Sequence, residues 1–344
     1  MAKPSRSASQ PRRDEQEWPL LSAIASRRTF NISLASLALA NTTNARAKSA
    51  SKLRRIGLLE VADLGWREPL TDALRDRGWS EGVNLHIERR NAGGRIDALT
   101  SLAKELIRAD IELIITIGPN PARAAQQATT IAPIVFVADD AILNGLVTSL
   151  ARPGGNATGF SVSTVDLIGK SLAVLKEAKP DVRRVCMFEV ASNPQFRLYR
   201  GGFEDSCRSI GVASIYVAVG PDVGIDAAIT EASRARDALV LINDGFIGTH
   251  HTEILGAALR ARMAPLGLVG GLARDGALAT YEPMDDVGKG MAEYVDRILR
   301  GAQPADLPVQ QPTRFGLTIN LKTAELLGVN VPRSLLLQAT ELIQ

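Results

Sequence analysis

The sequence predicts an α/β fold made of two doubly wound parallel-sheet lobes joined by a three-strand hinge. From residue 53 onward, short apolar strand-like runs alternate with amphipathic helix-like runs almost throughout. This alternation is interrupted once by "RPGGN" at 152–156 and then starts again. Because a βα series builds a parallel sheet with helices on both faces, two such series predict two lobes.

The first series is read from hydrophobic period, with Gly and Pro marking its breaks. Its predicted strands are 53–59, 83–90, 111–117 and 132–138, and its predicted helices are 66–78, 95–110, 121–129 and 143–151. The strand at 83–90 alternates in polarity, whereas the one at 111–117 is continuously apolar, as a strand covered on both faces should be.

The second series follows the same rules. Its predicted helices are 165–180, 195–211, 225–237 and 252–263, and its predicted strands are 183–190, 212–219, 238–243 and 264–269. A last helix is predicted at 285–301 and must return to one of the lobes.

Three chain crossings are predicted between the lobes, at 152–160, at 276–283 and in the Pro-rich segment that begins near 301. They divide the chain into a first lobe of 53–158 plus 281–304 and a second lobe of 159–280 plus 305–344. A hinged pair of α/β lobes binds its ligand between them, beyond the carboxyl ends of the strands.

The first 47 residues have the features of an export signal. "SRRTF" at 26–30 resembles a twin-arginine pattern, residues 32–40 form a short apolar run, and Ala45-Arg46-Ala47 suits cleavage. The apolar run has nine residues, and a bilayer crossing needs about 20. We therefore expect a signal cleaved near Ala47 and a periplasmic location, the alternative being a tail that happens to contain paired arginines.

Charge and composition exclude several functions. Residues 1–47 carry seven Lys and Arg and three Asp and Glu, so the rest of the chain carries 33 basic and 34 acidic residues. Without a basic surface, and with 4% aromatic residues, nucleic acid is not an expected partner. Three histidines, His86, His250 and His251, lack metal-ligand spacing, so no metal is expected.

Catalytic and cofactor patterns are also missing from the sequence. "GFSVS" does not complete a nucleophile elbow, "GPNPARAAQ" has no Gly-Lys-Ser/Thr, and no Gly-x-Gly-x-x-Gly follows the first strand. We expect neither an enzyme nor a bound cofactor. Cys186 and Cys207 either form a disulfide or remain two buried thiols.

Two helix N-termini are candidate ligand sites. In "GPNPARAA" at 118–125, Asn120 is expected to cap a helix that begins at Pro121, and Gly118 permits close approach of a ligand. The N–H groups of Asn120–Ala122 would then bind a carboxylate. Asn193, which precedes Pro194, repeats the pattern in the second lobe; the alternative is a pair of capped helices without a ligand.

Carboxylates and aromatic residues at strand ends complete the candidate site. Asp139 and Asp140 could each bind a ligand ammonium or cap the following helix, and Asp244 could face the ligand or cap a turn. In the loop after the first strand, Asp63 is a candidate ligand contact, and Trp66 either walls the pocket or packs on a helix. Tyr281 is a candidate hinge or lid residue.

Several long segments resemble one known family. "LRDRGWSEGVNLHIERRNAGG", "GLVTSLARPGGNATGFS" and "LPVQQPTRFGLTINLKTAELLGVNVPRSLLLQATELI" look like the substrate-binding proteins of ABC importers, in the group associated with tryptophan and tyrosine. The resemblance runs over essentially all of 53–342. It implies the type I periplasmic binding fold and a monomer that delivers a small amino-acid-like molecule to an ABC permease.

The chain departs from this family at two places. Asp139-Asp140-Ala141 stands where the family commonly has Asp-Pro, and "LLLQATELI" lacks the usual arginine and acidic residues. The first departure changes a predicted pocket edge, so the identity of the ligand does not transfer. The alternative function is a periplasmic module that senses a ligand and signals through a membrane partner.

Overall fold

The computed structural model describes residues 53–63, 65, 67–234, 237–268 and 271–344. The predicted export signal in residues 1–47 lies outside this part of the chain. In the described part, the predicted fold class is confirmed: two largely parallel sheets each carry helices on both faces.

The strands are β1 (Arg54–Glu60), β2 (Leu85–Asn91), β3 (Leu113–Ile117), β4 (Ile134–Asp139), β5 (Ala157–Val162), β6 (Arg184–Val190), β7 (Ala213–Val219), β8 (Ala238–Leu241), β9 (Ala264–Gly267), β10 (Ala279–Pro283), β11 (Phe315–Asn320) and β12 (Glu341–Ile343). The first sheet has the order β2-β1-β3-β4-β5 and is parallel throughout. The second has the order β12-β11-β10-β9-β8-β6-β7, with β10 and β11 antiparallel.

The helices are α1 (Arg67–Asp76), α2 (Leu99–Arg108), α3 (Pro119–Ala128), α4 (Thr164–Ala178), α5 (Phe196–Ser209), α6 (Ile225–Ser233), α7 (Gly245–Thr249), α8 (His251–Arg260), α9 (Val287–Leu299), α10 (Leu321–Leu327) and α11 (Arg333–Gln338). Single 3₁₀ turns occupy Ile96–Ala98 and Pro304–Asp306. None of these helices has both the length and the apolar character that a bilayer crossing demands.

Each sheet has its own hydrophobic core. In the first lobe, α1 and α9 cover one face of the sheet, and α2 and α3 cover the other. One large cluster joins the second sheet to α4, α5, α6 and α8. Cys186 and Cys207 are both buried in this second core as free thiols.

The boundaries between the lobes lie a few residues later than those predicted at 158, 280 and 304. β5 ends at Val162 and pairs with β4 over its whole length, so residues 159–162 belong to the first sheet. Likewise, β10 reaches Pro283 in the second sheet, and Gln310 still pairs with the first sheet through Phe160. In each case strand pairing continues past the Gly- or Pro-containing segment, so the chain leaves its lobe later than predicted.

The predicted helix at 143–151 is wrong, because this segment forms a turn at 143–145 followed by bends and irregular backbone. Gly145 has a left-handed backbone (φ +67°), and the Asn144 amide donates to the carbonyl oxygens of Asp139 (2.8 Å) and Asp140 (3.4 Å). Asparagine side chains that bond to the backbone in this way compete with helix formation.

Gly159 is required where β5 meets β4. Its φ is +151°, and a Cβ atom there would lie 1.9 Å from the carbonyl oxygen of Phe136 on the adjacent strand. No flexible side chain can move to relieve this contact, since both groups belong to paired backbones.

We expect Gly159→Ala to lower the free energy of unfolding by about 3 kcal/mol or more, from backbone strain and overpacking together. Urea denaturation measures the change. Gly155→Ala is the matched control, since Gly155 has no atom within 4 Å of a built Cβ and no positive φ. Equal losses in the two variants would contradict this explanation.

Candidate functional site

Two cavities lie at the carboxyl ends of the parallel strands. The acidic cavity, of about 660 Å³, is bordered by Gly118 and Asp139 from the first sheet, by Asp244 after β8, and by the crossing segment 282–288. The glycine-lined cavity, of about 820 Å³, lies against residues 91–95 and 220–225. Asp63 borders both.

Seven acidic residues contribute to the wall of the acidic cavity. The acidic residues in its lining are Asp63, Asp139, Asp244, Asp275, Glu282, Asp285 and Asp286. His251 also lines it, with Nε2 at 3.3 Å from the Asp275 carboxylate. Apolar side chains such as Ile117, Ile242 and Leu272 fill the spaces between the acids.

Asp139 is the most deeply buried of these acids, with 5% of its surface exposed. One of its oxygens accepts a hydrogen bond from the Thr164 hydroxyl at 2.9 Å. Burial raises the pKa of the Asp139 carboxyl to about 7, and the neighbouring Asp140 charge contributes in the same direction. One hydroxyl hydrogen bond does not offset the hydration that an ionised Asp139 carboxylate loses on burial. The charged form is therefore unfavourable unless a cation approaches it.

Asp140 has a different role, although it is the next residue. Its backbone is left-handed (φ +40°), and its carboxylate accepts the N–H groups of Thr164 (3.0 Å) and Val165 (3.3 Å) at the start of α4. Burial raises its pKa to about 6, against the effect of these hydrogen bonds. Asp140 thus caps a helix and does not line the acidic cavity.

Asp244 combines the two roles that the sequence leaves open. It lines the acidic cavity, and its carboxylate also caps α7 by accepting the N–H groups of Phe246 (2.7 Å) and Ile247 (3.3 Å). Its other oxygen accepts the Asn193 amide at 2.8 Å. Burial raises the pKa of Asp244, and these hydrogen bonds oppose the rise.

The predicted cap at Asn120 is wrong. Helix α3 begins at Pro119 with Gly118 as its N-cap, so Asn120 already lies inside the first turn. Two of the first-turn residues are prolines without an N–H group, and the N–H of Ala122 donates to the Gly118 carbonyl at 3.3 Å. The backbone at Asn120–Ala122 therefore does not form the expected carboxylate site, and neither Pro121 nor Ala122 lines the acidic cavity.

Asn120 instead connects the two lobes. Its amide donates to the Asn193 side-chain oxygen at 3.0 Å, and the Asn193 amide donates to Asp244. The same Asn193 oxygen accepts the N–H of Gln195, so Asn193 forms a local turn before α5 rather than capping that helix directly. We call Asn120, Asn193 and Asp244 the interlobe relay.

A second interlobe contact, near Asp139, joins Asn144 to Tyr199 and was not predicted from the sequence. Tyr199 on α5 is buried, and its hydroxyl accepts hydrogen bonds from Gln195 (2.7 Å) and Asn144 (3.3 Å). The Asn144-Gly145 dipeptide is a typical turn signal, and giving it more weight than the apolar period would have placed Asn144 beside the strand end.

Neither Tyr281 nor Trp66 can be assigned to the wall of a cavity. Tyr281 lines neither cavity; its ring stacks on Phe315 at 6.1 Å between centroids, with Lys170 Nζ at 5.4 Å from the Tyr281 ring. Trp66 lies outside the described residues. Asp63 and Gly118 border the acidic cavity.

Comparison with known proteins identifies similar chains. The family model for ABC transporter substrate binding proteins matches residues 62–343. A tyrosine-binding protein from Clostridioides difficile is 25% identical over 303 residues, which span 84% of this chain and 85% of that protein.

Solved structures share the fold. A conserved domain protein from Vibrio cholerae matches with a TM-score of 0.79 and 25% identity, over 85% of this chain and 100% of that one. An ABC domain from Streptococcus pneumonia in complex with L-Trp matches with a TM-score of 0.77 and 23% identity, over 84% and 99%. The two-lobe α/β architecture is thus common to these proteins.

The raised pKa of Asp139 predicts a pH-dependent effect of Asp139→Asn. The folded carboxyl holds its proton to about pH 7, whereas the unfolded one ionises near pH 4. The stability that this group contributes is therefore full below about pH 4 and is lost as the pH rises to about 7. Asparagine does not ionise, so the variant does not lose this stability as the pH rises. The free energy of unfolding of Asp139→Asn, relative to that of the wild type, should therefore increase by on the order of 2–3 kcal/mol between pH 5 and pH 8.

Urea unfolding of the ligand-free protein at both pH values measures this difference. Asp97→Asn, on the exposed 3₁₀ turn, is the matched control for loss of one negative charge. An effect of Asp139→Asn that is independent of pH would mean that the carboxyl is not held neutral by burial.

Proposed function

We propose that this chain, which belongs to the family of ABC transporter substrate binding proteins, captures a small amine-containing, amino-acid-like solute in the acidic cavity and delivers it to an ABC importer. Membership of the family supports a binding role rather than an enzymatic one, and the family is extracytoplasmic. The tyrosine-binding relative supports an amino-acid-like ligand. The partner is then a permease in the cytoplasmic membrane.

The observation that carries the proposal is the position of Asp139. This buried carboxyl borders a cavity at the ends of strands from both sheets, and its partner among the described side chains is the neutral Thr164 hydroxyl. A ligand ammonium would supply the charge that the site lacks, in a charge-assisted hydrogen bond. Asp244, on the opposite lobe, borders the same cavity.

The interlobe relay supports a closed arrangement of two hinged lobes. Hydrogen bonds between neutral side chains contribute about 1 kcal/mol each, so the Asn120–Asn193 contact can break when the lobes separate. A ligand that contacts both Asp139 and Asp244 binds the closed arrangement more tightly than the open one and therefore shifts the population toward it.

Isothermal titration calorimetry with L-tyrosine, L-tryptophan and their amine derivatives tests this function. For the probe that binds, we expect Asp139→Asn to weaken binding by about 2–5 kcal/mol, because the ligand ammonium then loses its ionic partner. Asp140→Asn is the matched control. It removes the same charge next to Asp139 but keeps an oxygen that can cap α4, so its effect should be smaller than about 1 kcal/mol.

Two results would overturn the proposal. The first is that none of these probes binds, and the second is that Asp140→Asn weakens binding as much as Asp139→Asn does. Native mass spectrometry of protein purified from the periplasm provides an independent search for a bound amine.

We also propose that the first 47 residues direct export and are then removed, as the paired Arg27 and Arg28 and the Ala45-Arg46-Ala47 segment suggest. The expected N-terminus of the exported protein is near Lys48, which N-terminal sequencing determines. Lysine at both arginine positions should block a twin-arginine route; unchanged export would instead indicate the general secretory route.

A further inference from the structure

We propose that the ammonium group of the ligand takes the place of a proton on Asp139, so that capture of the ligand releases one proton from the protein. This inference rests on the proposed function and goes further, because it makes ligand affinity depend on pH. It follows from the position of Asp139 between the two lobes and from the groups that contact it.

The groups that enclose Asp139 come from the opposite lobe. Asp139 ends β4 in the first sheet, whereas the hydroxyl that its carboxylate accepts belongs to Thr164, at the start of α4 in the second lobe. Burial, and after it the charge of Asp139, raises the pKa of Tyr199 on α5, so this buried side chain also lies near the carboxyl. The Asn144 amide donates to both the Asp139 carbonyl (2.8 Å) and the Tyr199 hydroxyl (3.3 Å). Contact between the lobes therefore removes the Asp139 carboxyl from water.

The surroundings of Asp139 compensate its charge poorly. The described side chains provide it with one hydrogen-bond donor, the Thr164 hydroxyl at 2.9 Å. Arg123, on α3, donates to the Asn144 carbonyl at 2.7 Å, and the adjacent Asp140 adds negative charge. Burial raises the pKa of the Asp139 carboxyl to about 7, although the Thr164 hydroxyl opposes the rise. The closed, ligand-free site therefore holds a proton on Asp139 below about pH 7.

The other acids of the cavity have more support for their ionised form. Asp244 is also buried, but its carboxylate accepts the Asn193 amide and two helix N–H groups. Each of the remaining acids of the lining has a polar partner within the chain: Asp63, Asp275, Glu282, Asp285 and Asp286. Asp139 is thus the lining residue at which a proton and a ligand cation compete most directly.

The exchange needs no group beyond those present at the site. A ligand ammonium provides a positive charge and N–H donors to the ionised Asp139 carboxylate. The proton that Asp139 held passes to water, and the ammonium keeps all of its own protons. A carboxylate elsewhere on the ligand takes no part in this step, so the exchange is the same for an amino acid and for a simple amine.

Isothermal titration calorimetry of the exported protein with L-tyrosine, L-tryptophan and tyramine tests the exchange. For the probe that binds, we expect the dissociation constant to rise about tenfold from pH 8 to pH 6, because a carboxyl with a pKa of about 7 is mostly ionised at pH 8 and about nine-tenths protonated at pH 6. Titrations at pH 6 in two buffers of different ionisation enthalpy should show release of about one proton, and those at pH 8 should show almost none.

Two variants identify the source of the proton. Histidine commonly changes charge between pH 5 and pH 8, and His251 lines the same cavity, so His251→Gln removes the competing explanation. Asp140→Asn removes the carboxyl next to Asp139. We expect both variants to keep the proton release and the pH dependence of binding. Loss of the release in either variant would assign the proton to that residue and overturn the inference.

Infrared difference spectroscopy provides a second measurement that does not depend on the affinity of an Asp139 variant. At pH 6 the ligand-free wild type should show the carbonyl band of a protonated carboxylic acid that ligand-free Asp139→Asn lacks, and saturation of the wild type with the probe should remove this band. Binding that leaves the band in place, or that releases no proton at pH 6, overturns the inference while the proposed function stands. If no probe binds at either pH, the proposed function is wrong and this inference is wrong with it.

Discussion

A chain of hydrogen bonds from Asn120 through Asn193 to Asp244 joins the two lobes at the cleft, in addition to the contact between Asn144 and Tyr199. It links the first turn of α3 in one lobe to the N-cap of α7 in the other, with donor–acceptor distances of 3.0 and 2.8 Å. The Asn193 amide holds one oxygen of Asp244 while the other oxygen caps the helix. The relay therefore holds the carboxylate of Asp244, which lines the acidic cavity, in a fixed orientation.

The chain uses carboxylates to satisfy the helices that begin at the cleft. Asp140, Asp244 and Asp286 each accept backbone N–H groups of a first turn, where the positive end of the helix also favours them. Two of these caps, Asp244 and Asp286, also line the acidic cavity, so helix capping places acidic groups in its wall. Asp139 differs from these three, because its carboxylate receives a side-chain hydroxyl and no helix amide among the described residues.

The sequence was sufficient to predict the alternating elements and the two-lobe class, because continuous apolar strands and amphipathic helices have distinct periods. It failed at 143–151, where the side chain of Asn144 competes with the helical backbone, and at Asn120, where Pro119 also suits the first helical turn. The roles of Asp139 and Asp140 could not be separated, since they depend on a left-handed backbone at Asp140 that a single sequence does not reveal. The packing of the Tyr281 ring on Phe315 and Lys170 could not be predicted, because these partners come from distant parts of the chain.

Burial of Asp139 would also connect binding of the proposed ligand to closure of the two lobes. In the closed arrangement this carboxyl is removed from water, and its pKa rises to about 7, so near neutral pH it either holds a proton or remains a charge without a basic partner. Under the proposed function, separation of the lobes would let water hydrate the ionised form, which would favour the open arrangement in the absence of ligand. The proposed ligand ammonium would reverse this balance, because its charge would compensate Asp139 in the place where water has been excluded. The same buried carboxyl that destabilises the empty closed form would then provide the free energy that closes the lobes around a cation.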